Sequence, residues 1–398
     1  IILILSTLPC NILRCTTILS KKQEINMIKI GIEAHAIGMK QGGNERYIEG
    51  LLRGLSKLNP PDLQFIVFLN HMAEIPSFLK GHPSFSFEKV STSSIKRLML
   101  DLPSKIKRTN IDVLHTQYHI PPFVQIPSVI TLHDVSYLIH PEFFPFFERI
   151  KMKTLMPSSI RKAKKIITVS QFSKREILKK YGDIDEKVCI TYNGVSEEFK
   201  PVNEEKIQQV LTKHKIFRPY IISVSNLQPR KNLQGLISAY SLILKKKEDF
   251  PCCLVITGKK LWLYDEIFSA GEPTIKEKIL FTDYVENDDL IALYSGAEML
   301  VYPSFYEGFG LPVLEAMACG CPVIASASSS LPEIVEEAGI LVDPYNSQEI
   351  SSAILTLHQN GNLQKELKEK GLKQAKKFSW MECAKKTVEV YRNLVSLL

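Results

Sequence analysis

The sequence predicts an α/β protein built from two consecutive doubly wound parallel sheets, each a Rossmann-like unit. Its 398 residues are enough for two domains of usual size. Apolar residues make up 45% of the chain and charged residues 23%, which is typical of globular proteins and excludes a disordered, collagen-like or polytopic membrane chain. Short apolar runs alternate with longer helical stretches in two successive series, and this alternation indicates parallel sheets covered by helices.

The first series starts after Met27 and predicts the first domain. Its strands are predicted at residues 28–33, 64–69, 113–115, 128–132 and 165–169. A Gly-rich loop and a helix over residues 45–58 follow the first strand. After the last strand, Ser170 is suited to cap a helix and Gly182 to end it. We expect this domain to span residues 27–200.

The second series predicts a second domain over residues 201–379. Its strands are predicted at residues 220–224, 253–257, 279–282, 299–302, 322–326 and 339–342. Its helices are predicted at residues 234–246, 287–295, 311–319 and 347–357. Ligands of such sheets bind outside the carboxyl ends of the strands. Two facing sheets therefore predict one cleft between the domains, where two substrates could meet.

The first 26 residues are expected to lie outside the fold or to precede the true start. Arg14 interrupts their apolar run well short of the ~20 residues that span a bilayer. Met27 directly precedes the first predicted strand. We therefore begin the folded chain at Met27.

The eight cysteines form no Cys-x-x-Cys pair, and several lie inside apolar runs. This pattern predicts reduced, buried thiols in a cytoplasmic protein and no zinc site.

The formal net charge of +8 favours anionic partners. Between residues 149 and 180 there are eleven Lys or Arg and one acidic residue, Glu176. One interpretation of this stretch is a solvated helical face. The other is docking on an anionic membrane surface or a lipid-linked phosphate. Binding to nucleic acid is not expected, because no recognised DNA-binding module accompanies the stretch.

The most informative segment, residues 303–322, directly follows a predicted strand. Two glycines in its loop allow a tight turn and the close approach of a ligand to the backbone. Amide groups near Gly310, Leu311 and Val313, at the start of the next helix, are expected to point at the cleft. Glu307 and Glu315 repel phosphate but accept hydrogen bonds from hydroxyls. A ligand with a diphosphate between two sugars would satisfy this arrangement.

A second segment, residues 224–233, supplies positive charge at the mouth of the second sheet. Arg230 can hold oxygens through two donors, and Lys231 acts as a mobile point charge. Both are suited to contact a diphosphate.

These segments resemble the retaining, GT-B-type glycosyltransferases of the "glycosyl transferases group 1" class. The resemblance is strongest to the mannosyltransferase-like members that build bacterial polysaccharide and lipopolysaccharide. It extends from about Lys29 to the C-terminus, and its specific feature is the spacing Glu-x₇-Glu with Gly-Phe-Gly-Leu-Pro between the two acids. It implies a GT-B fold with an acceptor-side first domain and a nucleotide-sugar-binding second domain. A last helix, within residues 380–398, would cross back onto the first domain.

The resemblance also implies roles for individual residues. Catalytic roles fall on His133, Asp134, Glu307, Arg230 and Lys231. Donor binding falls on Gly42, Gly43, Gly258, Lys259, Tyr284, Val285, Gly308, Phe309, Gly310, Leu311 and Glu315. Among these, Glu315 would hold the ribose, while Arg230 and Lys231 would bind the departing diphosphate. No metal and no cofactor are expected, because cations and amides can stabilise that leaving group.

Two departures from the family pattern concern the donor. Asn226 stands where many relatives carry an Arg, and Asp283 replaces a Gly of the base pocket. GDP-mannose is the first expectation for the donor, by analogy, followed by UDP- or ADP-linked hexoses. The expected acceptor is a saccharide or a lipid-linked sugar, and the expected location is the cytoplasm or the inner face of the membrane.

Three other functions compete with this interpretation. A dehydrogenase needs Gly-x-Gly-x-x-Gly after a strand, and the loop after Ile32 lacks it. A glycosidase using Glu307 and Glu315 would leave Arg230 and Lys231 without a purpose. A catalytically silent nucleotide-sugar-binding or scaffold subunit of a glycan-assembly complex stays open as the alternative.

Overall fold

Two parallel sheets organise the computed structural model, which describes residues 27–39, 42–259 and 277–396. Every strand pairing within the two sheets is parallel, as the alternating pattern predicts. Residues 1–26 and Gln41 of the Gly-rich loop, for which the sequence makes predictions, lie outside the described residues.

The first sheet has seven strands. They are β1 Ile28–Glu33, β2 Leu63–Leu69, β3 Phe85–Lys89, β4 Val113–Gln117, β5 Ser128–Thr131, β6 Lys165–Thr168 and β7 Val188–Ile190. Their order in the sheet is β3-β2-β1-β4-β5-β6-β7. The order reverses at β1, which pairs with both β2 and β4. A crevice forms at the carboxyl ends of the strands where the order of such a sheet reverses.

The second sheet has six strands in the part of the chain that the structure describes. They are β8 Tyr220–Val224, β9 Cys253–Thr257, β10 Ile279–Phe281, β11 Met299–Tyr302, β12 Val323–Ser326 and β13 Gly339–Val342. Their order is β10-β9-β8-β11-β12-β13, so this sheet reverses at β8. The boundary predicted at residues 200 and 201 lies in the connection between β7 and β8.

Helices connect the strands of both sheets. They are α1 Gly43–Leu58, α2 Ser94–Lys96, α3 Leu102–Thr109, α4 Ser136–Ile139, α5 Phe146–Lys162, α6 Gln171–Tyr181, α7 Glu204–His214, α8 Leu233–Lys246, α9 Asn287–Gly296, α10 Leu311–Ala318, α11 Leu331–Val335, α12 Ser347–Gln359, α13 Gly361–Ala375 and α14 Trp380–Val395. As predicted, Ser170 caps α6 by accepting a hydrogen bond from the Ser173 amide at 3.0 Å, and Gly182 follows its end.

Helix α14 returns from the second sheet and packs along α1 of the first. Gly50 and Gly54 allow this approach, because a Cβ at either position would lie 2.1–2.2 Å from atoms of Trp380. Farther along, the Tyr391 hydroxyl is 2.6 Å from Nδ1 of His115 in β4. Helix α14 therefore ties the end of the described chain to the first sheet.

No helix among the described residues combines the length and the apolar content that crossing a membrane would require.

Candidate active site

A cavity of about 750 Å³ lies between the carboxyl ends of the two sheets. The predicted site residues that line it are His133, Asp134, Glu307, Arg230, Lys231, Gly42, Gly43, Gly258, Tyr284, Val285, Gly308, Phe309, Gly310, Leu311 and Glu315. Loops that leave strands of both sheets thus converge on one cleft. Lys259 directly follows Gly258 but is not part of the lining.

Lys231 and Glu307 form a buried ion pair on the second-sheet side of the cleft. The Lys231 ammonium donates hydrogen bonds to Oε1 of Glu307 at 2.6 Å and to the hydroxyl of Tyr302 at 2.7 Å. That hydroxyl in turn donates to the same Glu307 oxygen at 3.0 Å. The short helical turn Pro229–Lys231 holds the lysine, and Glu307 stands in the loop between β11 and α10.

Each charge of this pair stabilises the ionised form of the other side chain. Burial raises the pKa of Glu307, but the nearby charges of Lys231 and Arg230 outweigh it and hold the pKa below its ordinary value. Burial also lowers the pKa of Lys231, and the Glu307 carboxylate opposes that effect. Glu307 is therefore a carboxylate at neutral pH and can accept hydrogen bonds from hydroxyls.

Arg230 extends from the second sheet toward Asp134, which follows β5 of the first. Its Nη1 lies 3.4 Å from Oδ2 of Asp134, so this ion pair spans the cleft. The other carboxylate oxygen of Asp134 accepts hydrogen bonds from the Ser136 amide at 2.9 Å and the Ser136 hydroxyl at 2.6 Å. These two bonds fix the orientation of Asp134 at the start of α4.

His133 is buried beside Asp134 and is held on two sides. Its Nε2 lies 2.9 Å from Oε1 of Gln117. The Tyr47 ring packs edge-on against the imidazole, with ring centres 4.7 Å apart. Burial lowers the pKa of His133 to about 4, only partly opposed by Asp134. At neutral pH the imidazole is therefore uncharged and can serve as a hydrogen-bonding group but not as a cation.

The loops of the two domains contact each other closely at Gly308. Its carbonyl accepts a hydrogen bond from the Ser170 hydroxyl at 2.7 Å, and Ser173 donates to the His133 carbonyl at 2.9 Å. A Cβ on Gly308 would lie 2.6 Å from that His133 carbonyl oxygen, so only glycine fits this contact. The contact brings the loop that carries Glu307 next to the loop that carries His133.

Glu315 is paired with a residue that the sequence did not identify as part of the site. Arg46 in α1 forms an ion pair with Glu315 in α10, and its other terminal nitrogen donates to Asn287 Oδ1 at 3.0 Å. The Tyr294 hydroxyl lies 3.5 Å from the second Glu315 oxygen. Burial raises the pKa of Glu315 despite the opposing charge of Arg46. A ribose that bound Glu315 would therefore compete with Arg46.

The loop after β10 shows how the backbone accommodates Asp283. Its φ is 56°, in the left-handed region that favours Gly but that Asp also tolerates. Its carbonyl accepts from the Gly258 amide at 2.9 Å. The Lys259 ammonium lies 5.2 Å from the Tyr284 ring centre. An aspartate is therefore compatible with the backbone conformation at position 283.

One expectation about the helix start is wrong. The Val313 amide does not point freely at the cleft, because it donates to the Gly310 carbonyl at 3.1 Å. Gly310 itself has a φ of 111° and caps α10, so the turn closes on its own backbone.

Gly42, also at a positive φ of 100°, lies opposite Asn226 at the mouth of the cleft.

Comparisons with known proteins agree with this arrangement. The model of the family "Glycosyl transferases group 1" matches residues 203–374, and that of "Glycosyltransferase Family 4" matches residues 41–199. The chain is 36% identical over 285 residues to O-antigen chain mannosyltransferase B of Escherichia coli, covering 70% of this chain and 74% of that protein. The chain belongs to the glycosyl transferases group 1 family. It is a glycosyltransferase, as the resemblance implies.

Two further comparisons place this glycosyltransferase among its relatives. It is 31% identical over 277 residues to the serotype-specific mannosyltransferase WbdA of Escherichia coli, covering 67% of this chain but only 34% of that protein. The structure of Anabaena HepE in complex with UDP-glucose is similar with a TM-score of 0.71 and 19% identity, covering 92% of this chain and all of that one. The fold is GT-B, as expected.

Proposed function

We propose that this glycosyltransferase transfers a hexose from a nucleotide-diphosphate sugar to a hydroxyl of a saccharide or lipid-linked acceptor. Mannose is the favoured hexose. The transfer would retain the anomeric configuration, and GDP-mannose is the favoured donor. The observation that carries the proposal is the convergence of Arg230 and Lys231 with Glu307 and Glu315 on one cleft that faces His133. The two Escherichia coli relatives are mannosyltransferases, which supports mannose as the sugar.

The transfer step depends on stabilising the negative charge of the diphosphate leaving group. The bond between the anomeric carbon and the diphosphate oxygen breaks, a bond to the acceptor oxygen forms, and the acceptor proton leaves with the diphosphate. Arg230 and Lys231 would stabilise the negative charge that develops on this leaving group, in a cleft that already fixes their positions. We therefore propose that the transfer needs no metal ion.

The carboxylates would hold the two sugars of the donor. Glu307 would accept hydrogen bonds from hydroxyls of the transferred hexose, and Glu315 from the ribose. Closure of the two domains around the donor would exclude water, which otherwise competes with the acceptor hydroxyl. The similar HepE structure, which is a complex with UDP-glucose, supports a nucleotide sugar as the ligand class.

A panel of nucleotide sugars tests the donor. GDP-mannose, UDP-glucose and ADP-glucose are added separately to the protein, and the shift in melting temperature is measured. The cognate donor should raise the melting temperature most, and the release of nucleoside diphosphate should then require an acceptor fraction such as lipid-linked oligosaccharides.

The outcomes separate the competing functions. Binding of a nucleotide sugar without any turnover in the presence of a range of acceptors would favour the silent scaffold subunit. Release of nucleoside diphosphate and free sugar without acceptor would indicate a hydrolase. No shift with any nucleotide sugar would contradict the proposal.

We also propose that the protein docks on an anionic membrane surface beside the acceptor side of the cleft. The basic stretch 149–180 is not one helical face, because it spans α5, β6 and α6. The start of α5 adds exposed apolar side chains, namely Phe146, Phe147 and Ile150, of which Phe147 is 83% exposed. Lysines and exposed aromatic rings together favour the interface of an anionic bilayer.

Liposome sedimentation tests this docking. Vesicles that contain phosphatidylglycerol should bind the protein, and neutral phosphatidylcholine vesicles should not. Phe147→Ser should weaken binding about tenfold, because a buried aromatic side chain contributes roughly 1.5–3 kcal/mol. The matched control is Phe217→Ser, which removes an equally exposed ring next to the second sheet. Equal binding to both vesicle types, or an equal effect of the two variants, would contradict the docking.

A further inference from the structure

Three side chains with different metal-binding groups meet at the edge of the second sheet that faces away from the cleft. Cys252 directly precedes β9, Glu298 directly precedes β11, and His358 lies in the last turn of α12. Their ligand atoms all lie within 4.8 Å of one another. The amino ends of the strands form this edge, whereas the active site lies at the carboxyl ends.

The separations resemble those of a tetrahedral zinc site. Cys252 Sγ is 3.6 Å from His358 Nδ1 and 3.2 Å from Glu298 Oε2. With Zn–S of about 2.3 Å and Zn–N and Zn–O of about 2.0–2.1 Å, tetrahedral angles place sulfur about 3.6 Å from nitrogen and about 3.5 Å from oxygen. The sulfur–nitrogen separation already fits. Glu298 Oε1, however, forms a hydrogen bond with His358 Nδ1 at 2.6 Å, which the ion would replace. Tetrahedral angles place two such ligand atoms about 3.3–3.4 Å apart, so the carboxylate has to move away from the imidazole.

The surroundings support binding by these three groups. The Glu298 Oε1 atom accepts hydrogen bonds from His358 Nδ1 at 2.6 Å and from Gln364 Nε2 at 3.2 Å, and the second bond can stay when an ion replaces the first. The Phe250 ring packs edge-on against the His358 imidazole at 4.9 Å. Glu298 and His358 are partly exposed, so an ion and a coordinating water could enter from solvent.

The charge balance favours a divalent cation. A thiolate and a carboxylate neutralise the two positive charges of the ion, so the filled site would carry no net charge. Without the ion, the Cys252 thiol donates a hydrogen bond to Glu298 Oε2 at 3.2 Å. On binding, the thiol proton would pass to solvent, and the proton that Nδ1 of His358 donates to Glu298 would be exchanged through solvent for one on Nε2.

We propose that Cys252, Glu298 and His358 bind a zinc ion, with a water molecule as fourth ligand. The ion would join the starts of two strands to the end of α12 and stabilise the second sheet at the edge away from the cleft. This departs from the expectation of no zinc site, which rested on Cys-x-x-Cys spacing. Here the ligands are separated by 46 and 60 residues.

Cobalt substitution tests the site on the full chain. The protein is freed of metal with a chelator and titrated with Co²⁺, and then Zn²⁺ is added in competition. We expect one Co²⁺ per chain with a near-ultraviolet band from thiolate-to-cobalt charge transfer, and displacement of that band by Zn²⁺. Zn²⁺ should also raise the melting temperature of the metal-free protein.

Cys252→Ser should abolish the charge-transfer band and weaken Zn²⁺ binding by more than about tenfold, the smallest effect of losing even an outer partner of a zinc site. The matched control is Cys253→Ser, because the Cys253 thiol donates to the Phe217 carbonyl instead and should leave the band unchanged. His358→Gln provides a second variant should Cys252→Ser fold poorly, and it should weaken Zn²⁺ binding likewise. Absence of a thiolate band in the wild type, or equal spectra of the two cysteine variants, would overturn the proposal.

Discussion

Replacing Lys231 by Met tests the buried ion pair on which the donor side of the cleft depends. Both side chains of the pair are about nine-tenths buried, so the variant leaves the Glu307 carboxylate without its cation in a poorly solvated site. Breaking a buried pair from one side costs about 3–5 kcal/mol. We take the lower end, about 3 kcal/mol, because Arg230 remains nearby and the cleft admits water. For a domain of this size that corresponds to a fall of about 6–12 °C in melting temperature.

The stability difference between the Lys231→Met variant and the wild type should depend on pH in a definite direction. In the wild type the lowered pKa of Glu307 contributes stability above its ordinary pKa, and acidification through the folded-state pKa removes it. Without Lys231, burial should raise the pKa of Glu307 instead. The carboxylate then takes up a proton as the pH falls, and the difference in stability between variant and wild type should shrink between pH 7 and pH 5.

Urea unfolding followed by circular dichroism at pH 7 and pH 5 measures both effects. The double variant Lys231→Met/Glu307→Gln should recover most of the loss, because no unpaired charge remains. The control is Lys57→Met, which breaks a surface pair with Glu197 and should change stability little. A Lys231→Met variant within about 0.5 kcal/mol of wild type at pH 7, or a difference that does not shrink at pH 5, would refute the reasoning.

Three other substitutions test separate parts of the cleft. Glu315→Gln should raise the KM for the donor about tenfold or more, because a charged acceptor contributes about 1.5–3 kcal/mol; steady-state kinetics measure it. Arg46→Met should raise the pKa of Glu315 further, so that Glu315 takes up its proton at a higher pH during acidification. As the pH is lowered, the donor affinity measured by calorimetry should therefore begin to fall at a higher pH in the variant than in the wild type. His115→Gln should flatten the loss of stability below pH 6.5. Burial lowers the pKa of His115 to about 3, so each pH unit between 6.5 and that value costs the wild type about 1.4 kcal/mol.

A specific result would contradict each of these three predictions. An unchanged KM in Glu315→Gln would remove Glu315 from the ribose site. The same pH profile for donor binding with and without Arg46 would show that this ion pair does not affect binding. Parallel stability curves for wild type and His115→Gln in urea unfolding between pH 7 and pH 5 would show that another group causes the acid instability.

Strands and loops at the site could be predicted because their signals are local. The apolar runs of β1, β8 and β11 are continuous, and the structure has them at the predicted bounds. Strand β3 was missed because it is an edge strand paired only with β2, and its sequence mixes charged with apolar residues. Helix α5 was predicted only as part of the helical face that is one interpretation of residues 149–180, and its interior Pro157 is a residue that usually argues against a helix.

Long-range partners could not be predicted from one sequence. Arg46 and Glu315 are 269 residues apart, and nothing near either residue indicates the other. The same holds for Cys252, Glu298 and His358, which only the folding of the second sheet brings together. The Val313 amide was misjudged because the turn at Gly310 closes on its own carbonyl, a detail of backbone geometry that residue types alone do not determine.

A structure determined with bound GDP-mannose tests the central claim most directly. We expect diphosphate oxygens within hydrogen-bonding distance of Arg230 and Lys231, and ribose hydroxyls on Glu315 in place of Arg46. A nucleotide whose phosphates lie beyond the reach of both cations, or one that binds outside the cleft while Glu315 keeps its pairing with Arg46, would contradict it.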